Sequence, residues 1–507
     1  MKEEMKENNG MNPDQIIENI GGCGRYQIRM SVIVHLIKTI VCFGFSNLII
    51  STKTPSWYCI EGNVTNSFIS CTNLVNKSDL TCRKEECNGW MNKTKCENIV
   101  FDSDLKTLSS EFNLICDIDY IPSTISSIQI TGVLVGNVIS GQLADLFGRK
   151  PPFFASILII LVTHVTGYFS ITWQMFAVST FFAGLGGGFF LTTQYCLLSE
   201  FTVAKWRAWV VGFPSWPIEG CLFALCAWLL HDWRNFQLLT AVMAVPCLFT
   251  WWIIPESFRW YIAHDKPEKA KVIINNIAKY NRQHEFNSDE VLQKEGKTED
   301  KKYTFLHLFK SGFLVRVTML LMLNWLALGV VSYGIAFGIQ TLSGNIYLNL
   351  FLFSITGIPT KGIAIWLQNK FGRRVSALIC FIVVAVGGLT VGVVQTLDLP
   401  NKDELTNIFA LIANAGISTA WGPVQTMTIE LYPTVVRNIG FGTLSLAGRI
   451  GAIVGPQLVY LNTYFRGLLF YVCGGIAVLC VIGTIFLPET KDSDLNDKIK
   501  TDTQTTP

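Results

Sequence analysis

The sequence has little charge for its length. Only 15% of its 507 residues are charged, 50% are hydrophobic, and the formal net charge is +3. A soluble chain of this composition would expose too much apolar surface, so the composition predicts a protein of the lipid bilayer. Such a small net charge also gives no reason to expect a nucleic-acid partner.

The sequence also lacks the motifs of common enzymes. It contains no GxxxxGK[ST] phosphate-binding loop, no HExxH and no GxSxG. The glycine-rich run at 184–188 lies inside an apolar segment, where close helix packing explains it better than nucleotide binding. An enzyme and ATP-driven transport are therefore disfavoured, and we expect neither a cofactor nor a metal site.

The sequence also does not predict a cleavable signal peptide. Residues 1–27 are polar and contain no apolar h-region, so the first apolar segment is expected to act as the insertion signal. Windows of about 20 apolar residues predict an all-α membrane protein with twelve transmembrane helices. The windows lie near residues 28–50, 121–144, 152–171, 175–198, 208–230, 236–254, 312–334, 345–368, 375–395, 405–428, 438–460 and 467–487.

Lysine and arginine collect at one side of these windows. Arg149, Lys150, Arg373 and Arg374 lie there, and cytosolic loops retain an excess of such residues. An even number of helices then places both termini in the cytosol. The predicted division is a cytosolic N-terminus (1–27), a six-helix bundle (28–254), a cytosolic middle loop (255–311), a second six-helix bundle (312–487) and a cytosolic tail (488–507).

The segment 52–120 carries the marks of the opposite compartment. It contains six cysteines and three Asn-x-Ser/Thr sequons, a combination typical of an oxidising, glycosylating space. We therefore predict an extracellular loop held by disulfides, with the connectivity open. A zinc site is the alternative, although the spacing lacks paired CxxC knuckles. The loop is also a candidate surface for self-association. The cysteines are Cys59, Cys71, Cys82, Cys87, Cys96 and Cys116, and the glycosylation candidates are Asn63, Asn76 and Asn92.

Three signals recur in the two halves. GQLADLFGRKP at 141–151 has a weaker copy, LQNKFGRR, at 367–374. Pro255-Glu256-Ser257 follows the sixth window, and Pro488-Glu489-Thr490 follows the twelfth. Near the start of the fifth window Arg207 comes five residues before Gly212, and near the start of the eleventh Arg437 comes shortly before Gly440 and Gly442. The repetition predicts two six-helix pseudo-repeats, an arrangement in which two bundles rock about a site at the bilayer midplane.

These motifs resemble the signature of the major facilitator superfamily. More specifically, ELYPTVVRNIGFG at 430–442 and the cysteine-rich first loop resemble the organic ion transporter family of cation, anion and zwitterion carriers. The resemblance spans nearly the whole chain. It implies the twelve-helix major facilitator fold, a plasma-membrane location, a small organic ion as substrate and transport by alternating access.

The GQLADLFGRKP turn is predicted to form a gate. Gly141 and Gly148 permit close packing and a tight turn, while Asp145, Arg149 and Lys150 can bind one another and adjacent helix ends across the cytosolic mouth. A simple topogenic stop signal would explain the two basic residues but not Asp145 or the glycines. The further gate candidates are Glu200, Gly372, Arg373, Arg374, Glu430 and Arg437.

Charged residues within the windows are the candidate substrate-binding groups, because burying them in a membrane is costly. Arg449 lies roughly 17 Å into the eleventh window, and Lys361 lies nearer the cytosolic end, where snorkelling is the alternative. The resemblance implies that a Pro-x-Lys pattern and an Arg at these places face the cavity of anion carriers. Cation carriers have an acid where this chain has Gly357, although carnitine-type zwitterion carriers also have the Arg.

Other candidates come from the residues around these two cations. Lys38 in the first window adds positive charge, with structural pairing as its alternative, and Glu219 is the candidate charge partner for a cation of the site. Aromatic residues could form the apolar wall: Tyr333, Trp216 and Trp325, with Phe337 and Trp421. We expect a carrier of organic anions, with an organic cation or carnitine-type zwitterion carrier, or a non-transporting sensor of the same fold, as alternatives.

Overall fold

The computed structural model describes residues 13–60, 98–101, 103–203, 206, 210, 215–283, 308–309, 311–397 and 401–491. The helices are α1 Pro13–Asn19, α2 Arg25–Ser51, α3 Leu108–Glu111, α4 Ile121–Phe147, α5 Lys150–Tyr168, α6 Trp173–Glu200, α7 Ser215–Leu230, α8 Trp233–Phe249, α9 Phe258–Ala263, α10 Pro267–Tyr280, α11 Gly312–Gly338, α12 Ile346–Phe371, α13 Arg373–Thr396, α14 Lys402–Leu431, α15 Thr434–Tyr464 and α16 Leu468–Ile485. Short 3₁₀ turns occur at Cys116–Ile118, Thr250–Trp252 and Ile339–Thr341.

Ten helices in the described residues are long and apolar enough to cross a bilayer. They are α2, α4, α5, α6, α8, α11, α12, α13, α15 and α16. The two other predicted windows also form helices, but α7 has only 16 described residues and α14 begins with a charged turn. The described helices therefore agree with the predicted all-α membrane protein, whereas helix length and apolarity alone support ten spans rather than twelve.

The helices form two bundles. Helices α2 and α4–α8 pack together as the N-terminal half, and α11–α16 pack together as the C-terminal half. The halves meet mainly where α4 packs against α15 and where α7 packs against α12. The ends of the bundles that carry Arg149 and Arg373 are called the motif face here, and the opposite ends, which carry Thr52 and Ile121, are called the loop face.

Glycines bring helices within each half into backbone contact. A Cβ atom at Gly184 of α6 would lie 2.0 Å from the carbonyl oxygen of Gln129 in α4. A Cβ at Gly329 of α11 would likewise lie 1.9 Å from the carbonyl oxygen of Gly448 in α15. Neither separation leaves room for a side chain, which confirms that the run at 184–188 serves helix packing.

The loop face carries a short hairpin. Strand β1 Trp57–Ile60 pairs antiparallel with β2 Asn98–Phe101, with Trp57 opposite Phe101. Cys116 is disulfide-bonded. The side chain of Cys59, together with Cys71, Cys82, Cys87, Cys96 and the sequons at Asn63, Asn76 and Asn92, lies outside the described residues. The predicted disulfide framework and glycosylation therefore stay predictions.

Helices α1, α9 and α10 cover the motif face of the N-terminal half. The amphipathic α10 buries Ile274 and Ile277 while its lysines are mostly exposed, in keeping with the predicted surface helices of the middle loop. Asn281 holds this layer to the bundle, because its side chain accepts a hydrogen bond from the Tyr26 N–H at 2.9 Å and donates one to the Ile20 carbonyl at 2.8 Å. The first part of the middle loop thus packs on the N-terminal half.

Hydrogen bonds between the halves lie toward the loop face. Ser127 Oγ donates to the Ile453 carbonyl at 2.8 Å, Gln340 donates to Thr52 Oγ1 at 3.0 Å, and the Tyr464 hydroxyl donates to Asp119 at 3.2 Å. Among the residues that the structure describes, no such bond joins the halves at the motif face. The two halves are therefore held together at the loop face in this arrangement.

Candidate functional site

The gate residues of the N-terminal half form one ionic network at the motif face. Arg149 pairs with Asp145 one turn earlier, Nη1 to Oδ1 at 2.5 Å, and its Nε donates to Glu200 at 2.9 Å. Trp260 of α9 donates from its indole nitrogen to the Asp145 carbonyl at 2.8 Å. The predicted association of Asp145, Arg149 and Glu200 is thus present, within a single half.

The C-terminal half repeats this arrangement. Arg373 Nη2 donates to Glu430 at 2.9 Å, as Arg149 does to Glu200. Arg374 binds the Ile485 carbonyl with Nη2 at 2.5 Å, and the Arg437 Nε donates to the Tyr432 carbonyl at 3.4 Å. Each ion pair of the two networks therefore braces helices of its own half, and none of them bridges the mouth between the halves in this arrangement.

Two further acids, Glu256 and Glu489, complete the networks. Glu256 accepts hydrogen bonds from the backbone N–H groups of Arg149 at 2.7 Å and Lys150 at 3.1 Å. Glu489 accepts from the N–H groups of Arg373 at 2.7 Å and Arg374 at 3.2 Å. Each carboxylate caps the first turn of a helix, where free N–H groups and the helix dipole favour negative charge.

Sequence reasoning did not identify Glu256 and Glu489 as partners of the predicted gate residues. Both belong to the repeated Pro-Glu-Ser/Thr endings, which we interpreted only as evidence of duplication. Burial raises the pKa of Glu256 above its ordinary value of 4.5, and the N–H groups of Ser257, Arg149 and Lys150 oppose that rise. Desolvation and hydrogen bonding therefore act on the pKa of Glu256 in opposite directions.

The glycines of the two turns have different roles. Gly148 and Gly372 have φ angles of +103° and +88°, which favour glycine, and a Cβ at either would lie 2.3 Å from Glu256 or 2.7 Å from Glu489. The prediction that Gly141 supports close packing does not hold in this arrangement, because no atom lies within 4 Å of the place its Cβ would occupy. Of the two glycines in the N-terminal motif, only Gly148 forms the tight turn.

Near the middle of the N-terminal half, a chain of hydrogen bonds holds Lys38. His35 contacts the Val210 carbonyl through Nε2 at 2.9 Å, so this nitrogen donates and the neutral ring accepts at Nδ1. Ser215 Oγ lies 3.1 Å from that Nδ1 and accepts a bond from the Lys38 ammonium. The chain fixes the Lys38 side chain between α2 and α7.

Glu219 is the acid nearest to this lysine. Its Oε1 lies 4.0 Å from the Lys38 Nζ, and both groups are buried. Neither carboxylate oxygen accepts a hydrogen bond from the residues that the structure describes. Of the three cations that we expected Glu219 to serve, the structure brings it to Lys38, in a loose pair.

Within the described residues, neither of the two C-terminal cations is paired with an acid. Arg449 is half-buried, and its Nη1 donates to the Tyr333 hydroxyl at 3.2 Å. Lys361 is exposed, and it lies near enough to Lys38 for the two charges to repel each other. No ion pair to Arg449 or Lys361 occurs in the described parts of the chain. Both therefore remain available to a negatively charged ligand.

The aromatic candidates differ in their exposure: Trp216 is exposed and Trp325 is buried. Trp216 is 38% exposed, and its ring centroid lies 5.8 Å from the Lys38 Nζ. Trp325, in contrast, is only 3% exposed, donates to Thr428 Oγ1 at 2.9 Å and packs against Trp421. The prediction that Trp325 contacts substrate therefore needs correction, because in this arrangement its ring supports the C-terminal half from inside.

Comparisons with known proteins agree with this architecture. Residues 47–500 match the sequence model of the family described as "Sugar (and other) transporter". The chain is 27% identical to "Organic cation transporter protein" of Drosophila melanogaster, over 97% of this chain and 94% of that protein. It is 31% identical to "Organic cation/carnitine transporter 2" of Homo sapiens, over 78% of this chain and 71% of that protein.

Solved structures show the same fold at lower sequence identity. The inward open conformation of the xylose transporter XylE from E. coli superposes with a TM-score of 0.63, at 16% identity, over 92% of this chain and 98% of that one. Its partially occluded inward open conformation gives a TM-score of 0.62 at 17% identity.

Proposed function

Because this chain belongs to the sugar (and other) transporter family of the major facilitator superfamily, and is related within it to organic ion transporters, we propose that it carries a small organic ion across the plasma membrane by alternating access. The fold and the relatives are those of transporters, not of enzymes. Transport of small organic substrates across a membrane is the activity common to this group.

We propose further that α7 and α14 cross the membrane as well. Helix α7 packs against α2 and α12, and α14 packs against α11, α12 and α13. Helix α7 is apolar and has only 16 described residues, whereas α14 has 30 residues and begins with a charged turn. The two together would restore twelve spans, with the motif face in the cytosol.

For the substrate, we propose a zwitterion of the carnitine type, which joins a quaternary or protonated ammonium group to a carboxylate. This revises the expectation of an organic anion. The names of the relatives favour the cation or carnitine alternative, whereas the site has Arg449, Lys361 and Lys38 against a single acid, Glu219. A zwitterion satisfies both observations, because its carboxylate suits the cations and its ammonium suits Glu219 and Trp216.

The observation that carries this proposal is the unpaired Arg449. A guanidinium inside a transmembrane helix is costly unless something neutralises it, and its protein partner here is the neutral hydroxyl of Tyr333. A substrate carboxylate would supply the missing charge through a pair of parallel hydrogen bonds. A purely cationic substrate would instead be repelled at this position.

Uptake by expressing cells tests the proposal. Labelled carnitine, tetraethylammonium and para-aminohippurate should be compared side by side, with saturating carnitine uptake as the expected result. Arg449→Met should abolish carnitine uptake, while Arg316→Met, at an exposed helix end, serves as the matched control. Uptake of tetraethylammonium alone would favour a cation carrier, and uptake of para-aminohippurate alone an anion carrier. Binding without flux would indicate a sensor.

A further inference from the structure

We propose that Lys38 and Lys361, one from each half, bind the carboxylate of the substrate together, and that Glu219 neutralises Lys38 while the site is empty. The inference rests on the proposed function, because it concerns the same substrate. It assigns a binding role to Lys38, on a helix of the N-terminal half, in addition to the two C-terminal cations.

The halves approach each other closely beside these lysines. A Cβ at Gly357 of α12 would lie 2.9 Å from Pro217 of α7, and a Cβ at Gly220 would lie 2.6 Å from Ser354. Glycine at 357 thus permits a contact that any side chain would obstruct. Lys361 lies one helical turn after Gly357 and Glu219 two residues after Pro217, so the charged groups flank this contact.

The charges around the contact do not balance. Lys38 and Lys361 repel each other across the boundary, whereas Glu219 supplies one negative charge. The excess must be reduced before the halves can close over a dry site, since like charges repel more strongly where water is excluded. A carboxylate placed between the two lysines would reduce that excess.

Lys38 has hydrogen-bonding capacity to spare. Its ammonium group has three donors, of which the structure uses one toward Ser215, while Glu219 lies at 4.0 Å without accepting a hydrogen bond. The Glu219 contact is therefore mainly electrostatic. A substrate carboxylate could take the remaining donors without breaking the Ser215 bond that orients the lysine, and Lys361 could approach from the other half.

The test compares the KM for carnitine with the KM for tetraethylammonium, which has no carboxylate. The variants are Lys38→Met, Lys38→Arg and the double variant Lys38→Met/Glu219→Gln, which avoids leaving a buried acid unpaired. Lys106→Met, at an exposed lysine of the loop face, is the matched control. Surface biotinylation normalises every rate to the amount of carrier in the membrane.

We expect Lys38→Met and the double variant to raise the KM for carnitine about tenfold, the effect of losing one charge-assisted hydrogen bond. In Lys38→Met, which keeps Glu219, the KM for tetraethylammonium should change less than about twofold, and Lys38→Arg should retain carnitine uptake. Equal changes for both substrates, or loss in the single variant with recovery in the double, would overturn the shared carboxylate site in favour of a structural role.

Failure of the proposed function would be visible separately, in the wild-type carrier. If wild type takes up para-aminohippurate but no carnitine, the zwitterion proposal fails. The same variants then test the lysine pair with para-aminohippurate, because this substrate also has a carboxylate that the two lysines can bind. If wild type moves only tetraethylammonium, both proposals fail.

Discussion

Glu256 and Glu489 can be compared within one chain, because both accept hydrogen bonds from the first N–H groups of a helix, but in different surroundings. Glu489 also accepts one from the Lys491 N–H at 3.1 Å. Glu256 is 9% exposed, whereas Glu489 is exposed to solvent. Glu256→Ala removes the acceptor of three backbone N–H groups, those of Arg149, Lys150 and Ser257. At about 1 kcal/mol for each net hydrogen bond, the loss should be about 3 kcal/mol.

Glu489→Ala removes the acceptor of equivalent N–H groups, but water can replace it there. We therefore expect a loss of only about 1 kcal/mol, because exposed interactions contribute little. Glu256→Gln should cost less than Glu256→Ala, since the amide oxygen still accepts hydrogen bonds and no charge is buried.

Thermal unfolding of the purified carrier in detergent measures this order. Glu256→Ala should lower the midpoint most, Glu256→Gln less, and Glu489→Ala least. Equal losses for the two alanine variants would show that burial does not control the strength of these caps. A larger loss at Glu489 would contradict the assignment of the two environments.

Three other predictions concern packing, substrate charge and closure. Gly184→Ala should abolish surface expression, because its Cβ would collide with the Gln129 carbonyl. Gly141→Ala, whose Cβ would have no atom within 4 Å, should leave expression unchanged, and immunoblots measure both variants. Arg449→Asp should reverse the preference between para-aminohippurate and tetraethylammonium in uptake assays; an unchanged preference would remove Arg449 from the site. Tyr464→Phe should weaken closure at the loop face by about 1 kcal/mol, because the hydrogen bond to Asp119 is lost. A cysteine introduced at Ser127 should then be alkylated faster than in the carrier that keeps Tyr464.

Much of the fold could be predicted because bilayers impose simple rules on sequence. Long apolar segments, turns rich in basic residues and the duplicated GRK and GRR motifs indicate helices, a face and a repeat without any knowledge of packing. Helices α7 and α14 are harder to identify as spans, since α7 has only 16 described residues and α14 begins with a charged turn. Their place in the bundle becomes evident only from the tertiary contacts.

The sequence indicates candidate residues for the site, but it does not indicate which residues they contact. Lys38 and Glu219 were each suspected, yet 181 residues separate them in sequence, and nothing in the pattern pairs them. Trp325 failed for a related reason: its position in a helix facing the centre does not tell which way its ring points. Side-chain direction depends on neighbours such as Thr428, which come from another helix.

The ionic networks at the motif face affect how much free energy the movement of the two halves requires. Since the Arg149–Glu200 and Arg373–Glu430 pairs each lie within one half, neither has to break when the halves move. The work of switching then falls on the contacts at the loop face, such as Thr52–Gln340 and Asp119–Tyr464. At about 1 kcal/mol each, they amount to a few kcal/mol. A tenfold substrate gradient corresponds to about 1.4 kcal/mol, so these contacts are of a strength that substrate binding and ordinary gradients can overcome.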